Sequence, residues 1–365
     1  MNVLVFAPYP PDCSPGQRFR FEQWVPLLPD TGMSFDVRAV FSKAAYRTIY
    51  SPGHAPRKAV YTAAGLLRRA LDVPACRRAD VVLLYRFMFP LGPPLLDLLV
   101  ERRVPVVYDF DDAIFLRTTN PHNRVASLFK QSNKISSIIA SAAHTTVGNE
   151  YLARYARKFS PNVSILPTTL DTVRYSRPND WQRTPGRLRI GWSGSTTTTS
   201  HLRSIDRALQ RVLSKHDVEL VVIGAASYQL PGNPKVVSKS WDPATEISDI
   251  CDFDIGIMPL PDDEFARGKC GFKALLYMAL SVPCVVSPVG VNTAIVRDDD
   301  NGLLATTEDE WVAALGRMIE DEGLRRRLAA AGRQTVVRDY DGRSVAPHFA
   351  AILSRAVSSS SKASG

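Results

Sequence analysis

Two lysines, Lys269 and Lys273, lie where the sequence predicts a strand, then a loop, then a helix. Residues 253–258 form a short apolar run that ends at Pro259, a pattern typical of a buried strand. Residues 272–280 lack Gly and Pro and are rich in helix-forming residues. Because free N–H groups and the helix dipole favour anions at a helix start, this pattern predicts a phosphate or diphosphate site. A solvated basic loop on an α/β surface is the alternative.

A second loop of the same kind follows the predicted strand 188–192 and precedes an amphipathic helix. It contains a small, hydroxyl-rich run: Gly194, Ser195, Thr196 and Thr197. Backbone N–H groups and hydroxyls in such a loop can cradle phosphates, although Ser and Thr also favour helix N-cap positions, and both roles are compatible. Farther along, Trp241 and Glu246 are candidates for contacts to a base or ribose, with packing as the alternative for the tryptophan.

An acidic turn follows a predicted strand in the first half of the chain. Residues 104–108 run directly into Asp109-Phe110-Asp111-Asp112. Ligands gather at the carboxyl ends of parallel strands, so Asp109 and Asp111 are candidates to bind a metal, act as a base or orient acceptor hydroxyls. The alternative is that one carboxylate caps the next helix while the others face water. We favour a functional role, because clustered like charges cost stability unless something compensates them.

Residues 57–71 predict a helix with one apolar face: Val60, Ala63, Ala64, Leu67 and Leu71. Basic residues flank this face across the region 57–78. A basic amphipathic helix can lie on an anionic membrane. The other interpretation, which the sequence favours, is a helix packed on the protein surface with solvated arginines.

Composition limits the classes of protein that this chain can represent. Its 365 residues suggest two domains, and 45% hydrophobic and 22% charged residues are ordinary for a globular protein. We find no apolar run of transmembrane length and no signal peptide. The five cysteines form no CxxC pair, which argues against a zinc site. Together these features predict a cytoplasmic location. The net charge of +9 indicates an anionic partner, and no nucleic-acid-binding motif, GxGxxG or Walker A sequence is present.

Strands and helices alternate throughout, which predicts two successive α/β domains. The predicted divisions are a first domain over 1–170, a linker over 171–187, a second domain over 188–340, a C-terminal helix over 341–357 and a disordered tail over 358–365.

The segment KCGFKALLYMALSVPCVVSPVG, residues 269–290, resembles the donor-binding segment of family 4 glycosyltransferases. The resemblance rests on the Lys…Tyr-Met-Ala-x-x-x-Pro run and on Asn301-Gly302-Leu303-Leu304 downstream. It implies a GT-B fold, in which two Rossmann-like domains face a central cleft. It also implies transfer of a sugar from a nucleotide diphosphate sugar, with retention of configuration, to a glycan or lipid-linked acceptor.

The resemblance further implies roles for individual residues. Lys269, Lys273 and the loop 195–197 would stabilise the departing diphosphate, with Gly271 and Phe272 also at the donor. His122, near the acidic turn, is a better candidate than His144 for the histidine that the family often places at the acceptor sugar, and a surface histidine without that role is the alternative that the sequence favours. The scheme requires no metal and no cofactor beyond the nucleotide sugar itself.

The sequence departs from the family at two positions where glutamates are usual, which here are Gly268 and Leu276. A leucine side chain has no hydrogen-bond acceptor for ribose, so Glu246 is the substitute that we consider, with Leu276 still at the donor position. Two alternatives to transfer therefore stay open: a GT-B nucleotide-sugar epimerase and a non-catalytic nucleotide-sugar-binding protein.

Overall fold

In a computed structural model, the chain divides into two compact units. Unit 1 comprises Met1–Thr168 together with Gly342–Gly365, and unit 2 comprises Thr169–Asp341. The structure describes residues 1–51, 53–116 and 133–363, without the side chains of residues 50 and 360–363. Residues 171–187, predicted to be a linker, lie inside unit 2.

Unit 1 is built on a parallel six-stranded sheet with the strand order β2-β1-β3-β4-β5-β6. Its strands are β1 Asn2–Ala7, β2 Ser34–Ala39, β3 Val81–Tyr85, β4 Val106–Phe110, β5 His144–Val147 and β6 Val163–Ile165. The central strands β3 and β4 are buried along their whole length, as apolar strands covered by helices on both faces must be. Continuous apolar runs in the sequence mark the three central strands β1, β3 and β4.

The helices of unit 1 before the crossover to unit 2 are α1 Pro15–Arg18, α2 Phe21–Trp24, α3 Lys43–Tyr50, α4 Ala55–Asp72, α5 Leu95–Glu101, α6 Lys134–Ser141 and α7 Glu150–Ala156. The helices α1 and α2 are separate, and α2 is followed by the 3-10 turn Val25–Leu27, because the backbone of Arg20 leaves helical geometry at φ −115° and ψ −123°.

The helix α4 has the predicted extent, but its orientation differs from the interpretation that the sequence favours. Gly65 and Arg69 are its buried residues, whereas Val60, Leu67 and Leu71 are 66%, 63% and 70% exposed. The apolar face therefore points away from unit 1, and the expectation that it packs on the protein is wrong.

Unit 2 contains a second parallel six-stranded sheet, with the order β12-β11-β10-β7-β8-β9. Its strands are β7 Leu188–Ser193, β8 Val218–Ile223, β9 Val236–Lys239, β10 Ile255–Met258, β11 Cys284–Val286 and β12 Leu303–Leu304. The edge strands β9 and β12 were not predicted, because each is short and β9 has the mixed exposure of an edge strand.

The helices of unit 2 are α8 Thr199–Arg203, α9 Asp206–Lys215, α10 Glu246–Cys251, α11 Glu264–Arg267, α12 Phe272–Ala279, α13 Asn292–Ile295, α14 Glu308–Glu320 and α15 Glu322–Asp339. A capping box between Thr307 and Glu310 starts α14, since each side chain accepts a hydrogen bond from the backbone of the other. The apolar faces of α9 and α14 join Trp192, Leu220 and their neighbours in one core on this sheet.

The last helix, α16, runs over Gly342–Ala363 and packs against unit 1. Phe349 lies 1% exposed with its ring centroid 5.3 Å from that of Trp24, and Leu353 is fully buried. This corrects the predicted helix 341–357 and disordered tail 358–365: helical backbone continues through Ala363, so most of the predicted tail is helix.

Candidate functional site

The strand order of unit 2 marks one position where loops can hold a ligand. The strands β8 and β10 flank β7 and are reached in opposite directions from it, so the order reverses between β7 and β10. In open parallel sheets, ligands bind outside the carboxyl ends of the strands at such a reversal. The loop after β7 and the loop from β10 to α12 both begin there, and these are the two loops that the sequence singled out.

Tyr277 fixes the helix α12 against both strands. Its phenolic oxygen accepts a hydrogen bond from the backbone N–H of Ser193 at 2.9 Å, at the end of β7. Its ring lies over Gly256 of β10, where an added Cβ would come within 2.5 Å of the ring. Only glycine permits this contact, and α12 is thereby held against β7 and β10.

Two glycines bring the loops after β7 and β8 into backbone contact. Gly224 has a φ of +84°, and a Cβ there would lie 1.9 Å from the carbonyl oxygen of Gly194. A Cβ on Gly194 would in turn lie 2.3 Å from the indole ring of Trp192. Position 194 is therefore a glycine for a steric reason: the loop passes directly over the buried Trp192 ring.

Lys273 is a half-buried cation at this site. Its ammonium nitrogen lies 5.3 Å from the centroid of the Trp192 ring. Within the part of the chain that the structure describes, this nitrogen makes no ion pair or hydrogen bond. Burial, and secondly the positive charge of Lys269, lower the pKa of Lys273 to about 8. Two cations that repel each other in a half-buried position form a site that a bound anion would stabilise.

Lys269 lies two residues before the N-cap of α12, with its ammonium nitrogen 4.0 Å above the Phe265 ring. Gly271 is that N-cap and has a φ of +68°; a Cβ there would meet the Ile295 side chain at 2.2 Å. Phe272 opens the helix and is half-buried. The structure thus brings Lys269, Gly271 and Phe272 to the start of the same helix as Lys273.

Leu276 is different, because its side chain is only 2% exposed. It belongs to the buried part of α12 together with Leu275 and Met278. The prediction that Leu276 lines the donor site is therefore corrected: the side chain is part of the core. Gly268, the other departure from the family pattern, is the C-cap of α11.

The hydroxyl-rich loop after β7 forms a 3-10 turn, Thr196–Thr198. Ser195 and Thr198 make a capping box, and the hydroxyls of Ser195 and Thr197 are 2.7 Å apart. The side chains of residues 195–197 are exposed. The N-cap interpretation is thus confirmed, and it leaves these hydroxyls at the surface of the loop.

Trp241 and Glu246 bind each other. The indole N–H of Trp241 donates to the Glu246 carboxylate at 3.0 Å, and the Tyr175 hydroxyl donates to the other carboxylate oxygen at 3.3 Å. Glu246 is 6% exposed. A buried carboxylate with two internal donors has a structural role, so the structure does not support Glu246 as the substitute for a family glutamate.

The acidic turn of unit 1 contains two carboxylates with different surroundings. Asp109 lies within β4, is 1% exposed and pairs with the fully buried Arg20. The Thr146 hydroxyl donates to the same carboxylate at 2.6 Å, and Arg20 also donates to the Leu166 carbonyl oxygen. The predicted catalytic role of Asp109 is therefore corrected, because the carboxylate is enclosed by its partners.

Asp111 lies closer to the surface, with a side chain that is 11% exposed. It accepts hydrogen bonds from the Tyr85 hydroxyl at 2.7 Å and from Arg86 at 2.8 Å. Burial alone would raise the pKa of Asp111, but the charges of Arg86 and Arg20 outweigh burial and lower it. The carboxylate is therefore kept ionised.

Sequence reasoning missed Gly16 and Arg86, which complete this cluster. The strand order of unit 1 reverses between β1 and β3, and the two residues follow those strands. A Cβ on Gly16 would lie 2.7 Å from the Asp111 carboxylate and 2.9 Å from the Arg86 guanidinium, so the loop passes directly over both. Arg86 has a φ of +66°. A polar residue directly after a buried strand was the available signal.

His122 lies outside the described residues, so its predicted role stays a prediction. Among the described residues, no group of three or more His, Cys, Asp or Glu side chains is placed to hold a metal ion. None of the described helices is long and apolar enough to span a bilayer.

Comparison with known proteins agrees with this architecture. Residues 187–321 match the family described as Glycosyl transferases group 1. Sucrose-phosphate synthase of Thermosynechococcus elongatus superposes with a TM-score of 0.70 and 12% identity, over 98% of this chain and 100% of that one. The Anabaena protein HepE, solved with UDP-glucose, superposes with a TM-score of 0.68 and 13% identity, over 97% and 100%. The chain has a GT-B fold.

One curated relative shares a short segment at higher identity. D-inositol 3-phosphate glycosyltransferase of a Nocardioides species is 42% identical over 62 residues, which is 16% of this chain and 14% of that protein. The match therefore spans a small part of either sequence. We call residues 187–321 the group 1 region; it contains both lysines, the loop after β7 and α12. The prediction of two Rossmann-like units with a GT-B fold is confirmed.

Proposed function

We propose that this protein is a retaining glycosyltransferase. It transfers a hexose from a nucleotide diphosphate sugar to a glycan or lipid-linked acceptor. One observation carries the proposal. Lys273 is a half-buried cation next to Lys269, makes no ion pair within the described chain, and lies where ligands bind in such sheets. A diphosphate supplies the negative charge that this position lacks, and the position belongs to the group 1 region.

The residues of unit 2 have defined roles in this reaction. The bond between the anomeric carbon and the diphosphate oxygen breaks, and the anomeric carbon bonds to the acceptor oxygen. A phosphate oxygen takes the proton of the acceptor hydroxyl, so the products are a glycoside and a nucleoside diphosphate. Lys269 and Lys273 stabilise the charge that develops on the departing diphosphate, assisted by the hydroxyls of residues 195–197.

The relatives support a uridine-type donor, since HepE is solved with UDP-glucose, and an acceptor that offers a hydroxyl group. In unit 1, we assign acceptor binding to the cluster of Asp111, Arg86 and the backbone at Gly16. Its ionised carboxylate can accept hydrogen bonds from sugar hydroxyls. We assign the reaction to the cytoplasm, because the five cysteines, all among the described residues, form no disulfide.

The first test is a screen of nucleotide sugars for thermal stabilisation of the protein. A ligand at about 100 times its dissociation constant adds about 2.7 kcal/mol to the stability. The donor that stabilises is then incubated with candidate acceptors, and the anomeric configuration of the product is read by proton NMR. A glycoside with the configuration of the donor supports the proposal. An inverted glycoside would contradict retention, and an epimerised nucleotide sugar would contradict transfer.

A non-catalytic nucleotide-sugar-binding protein is the second candidate. The observation in its favour is that the family's second glutamate position is a core leucine, Leu276, while Glu246 is committed to Trp241 and Tyr175. This candidate predicts stabilisation by a nucleotide sugar without glycoside, epimer or hydrolysis product in a full acceptor screen.

A further inference from the structure

The helix α4 is attached to unit 1 through its polar side. The guanidinium of Arg69 is fully buried and donates to the carbonyl oxygens of Ala7 and Met88, each at 2.9 Å, and of Arg38 at 3.2 Å. One turn earlier, Gly65 packs so closely that a Cβ would lie 2.9 Å from the Val40 side chain. These contacts fix which face of α4 meets the protein.

The opposite face of α4 is apolar and exposed. At about 100° per residue, an outward arc of about 100° centred near Val60 holds Val60, Ala63, Ala64, Leu67 and Leu71. Arg69 lies about 180° from Val60 on the same helical wheel. We call these five residues the α4 stripe. All five are exposed, so this amphipathic helix presents its apolar side to the surroundings instead of to its own core.

The neighbouring helix α5 extends this surface. Leu95 and Leu99 of α5 are 64% and 42% exposed, and α5 contacts the 3-10 turn Val73–Arg78 that follows α4. Right-handed crossovers place α4 and α5 on the same face of the sheet. Among the described residues, the exposed leucines all lie on these two helices, which is a concentration that a scattered surface would not show: Leu66, Leu67, Leu71, Leu95 and Leu99.

The charge around the stripe is positive. Residues 55–78 contain six Lys and Arg against one Asp, and that aspartate, Asp72, is paired with Arg38 at 3.0 Å. Arg57 and Arg68 lie along one border of the stripe, and Arg77 and Arg78 follow at its end. All four are exposed and make no ion pair with any residue that the structure describes. Apolar and cationic groups are therefore presented together.

We propose that α4 is a docking surface for an anionic lipid bilayer, on which the helix lies flat. The stripe enters the boundary between headgroups and acyl chains, and the four arginines contact anionic headgroups. With 18 residues the helix is about 27 Å long, and no described helix spans a bilayer, so the mode is interfacial. An antiparallel two-fold pairing of α4 with a second copy is disfavoured, because it would bring the Arg57 and Arg68 borders of both copies to the same side.

The test is flotation of the full-length protein with vesicles of phosphatidylcholine alone and with vesicles that contain phosphatidylglycerol. We expect binding only with the anionic lipid. Arg57→Gln/Arg68→Gln weakens partitioning by about fivefold for each arginine. Leu67→Gln/Leu71→Gln weakens it by on the order of tenfold for each leucine. Raising the salt concentration weakens the wild type further, because a Debye length of about 10 Å at 0.1 M shrinks with salt.

Control variants introduce glutamine at exposed apolar and basic positions elsewhere: Val173→Gln/Val337→Gln for the leucine pair and Arg207→Gln/Arg326→Gln for the arginine pair. We expect the controls to bind like the wild type, with all variants keeping the wild-type circular dichroism spectrum. The proposal is overturned if the wild type does not float with anionic vesicles, or if the stripe and control variants lose binding equally. It is also overturned if lipid-free sedimentation shows a dimer that Leu67→Gln/Leu71→Gln dissociates, which would make the stripe a subunit interface.

Discussion

The pH dependence of nucleotide binding tests the role of Lys273 most directly. The pKa of Lys273 is lowered to about 8 in the ligand-free protein, first by burial and then by Lys269. A diphosphate favours the charged form and raises that pKa again. Below pH 8 the lysine is already charged in the free protein, so the affinity for a nucleoside diphosphate does not change with pH through this group. Above pH 8 binding must take up a proton, and the affinity falls by up to about tenfold per pH unit.

The variants separate this charge from other contributions. Lys273→Met removes a charge-assisted hydrogen bond worth about 1.5–3 kcal/mol, which corresponds to a loss of affinity between about 10-fold and 150-fold at pH 7. Lys273→Arg keeps its charge at all relevant pH values, so the decline above pH 8 disappears. Lys215→Met serves as the control, because Lys215 is 68% exposed at the end of α9. Isothermal titration calorimetry from pH 7 to pH 9.5 measures all four proteins.

The stability of the fold responds to Lys273 in the opposite direction from nucleotide affinity. A lysine whose pKa is lower in the folded state than in the unfolded chain, where it is about 10.4, destabilises the fold below pH 8. That destabilisation declines as the pH rises and is gone above the unfolded pKa. Lys273→Met should therefore raise the melting temperature at pH 7 while it weakens binding. An unchanged nucleotide affinity, or a lower melting temperature at pH 7, would refute the assignment.

Three further predictions concern other parts of the two units. Asp109→Asn leaves the buried Arg20 without a charged partner and should lower the free energy of unfolding by about 3–5 kcal/mol in urea titrations; a change below 1 kcal/mol would contradict a buried ion pair. Asp111→Asn should reduce the initial rate of transfer to acceptor at unchanged donor affinity. A loss of donor affinity would contradict the assignment of Asp111 to the acceptor site. Gly224→Ala should weaken nucleotide binding or unfold unit 2, because its Cβ would meet the Gly194 carbonyl at 1.9 Å; wild-type affinity and melting temperature together would contradict this contact.

The sequence predicts the framework of this protein well because both sheets are parallel and buried. Buried parallel strands are continuous apolar runs, such as residues 81–84 and 255–258, and the loops that follow them hold the polar residues. The lysines after β10 were recognised for that reason. The same logic applied to Arg86 after β3, which was overlooked because one arginine after a strand has no motif around it.

Other features depend on contacts that a sequence does not encode locally. Asp109 is an acidic residue at the end of a strand in sequence, yet Arg20, from a loop 89 residues away, encloses it. The stripe of α4 has ordinary amphipathic periodicity, and only the burial of Arg69 shows that its polar side faces the protein. Periodicity identifies two faces of a helix, but the partner of each face is a tertiary property.

The missing glutamates at residues 268 and 276 are compatible with donor binding when the interactions are compared by size. A neutral hydrogen bond contributes about 0.5–1.5 kcal/mol net and a charge-assisted one about 1.5–3 kcal/mol. The loss of one ribose contact at position 276 therefore lowers the affinity for a nucleotide by one or two orders of magnitude. Two cations at the start of α12 act on a ligand that carries at least two negative charges, and half-burial strengthens that attraction because less water screens it. We therefore expect donor recognition in this chain to depend more on the diphosphate than on the ribose, which is compatible with Leu276 as a core residue.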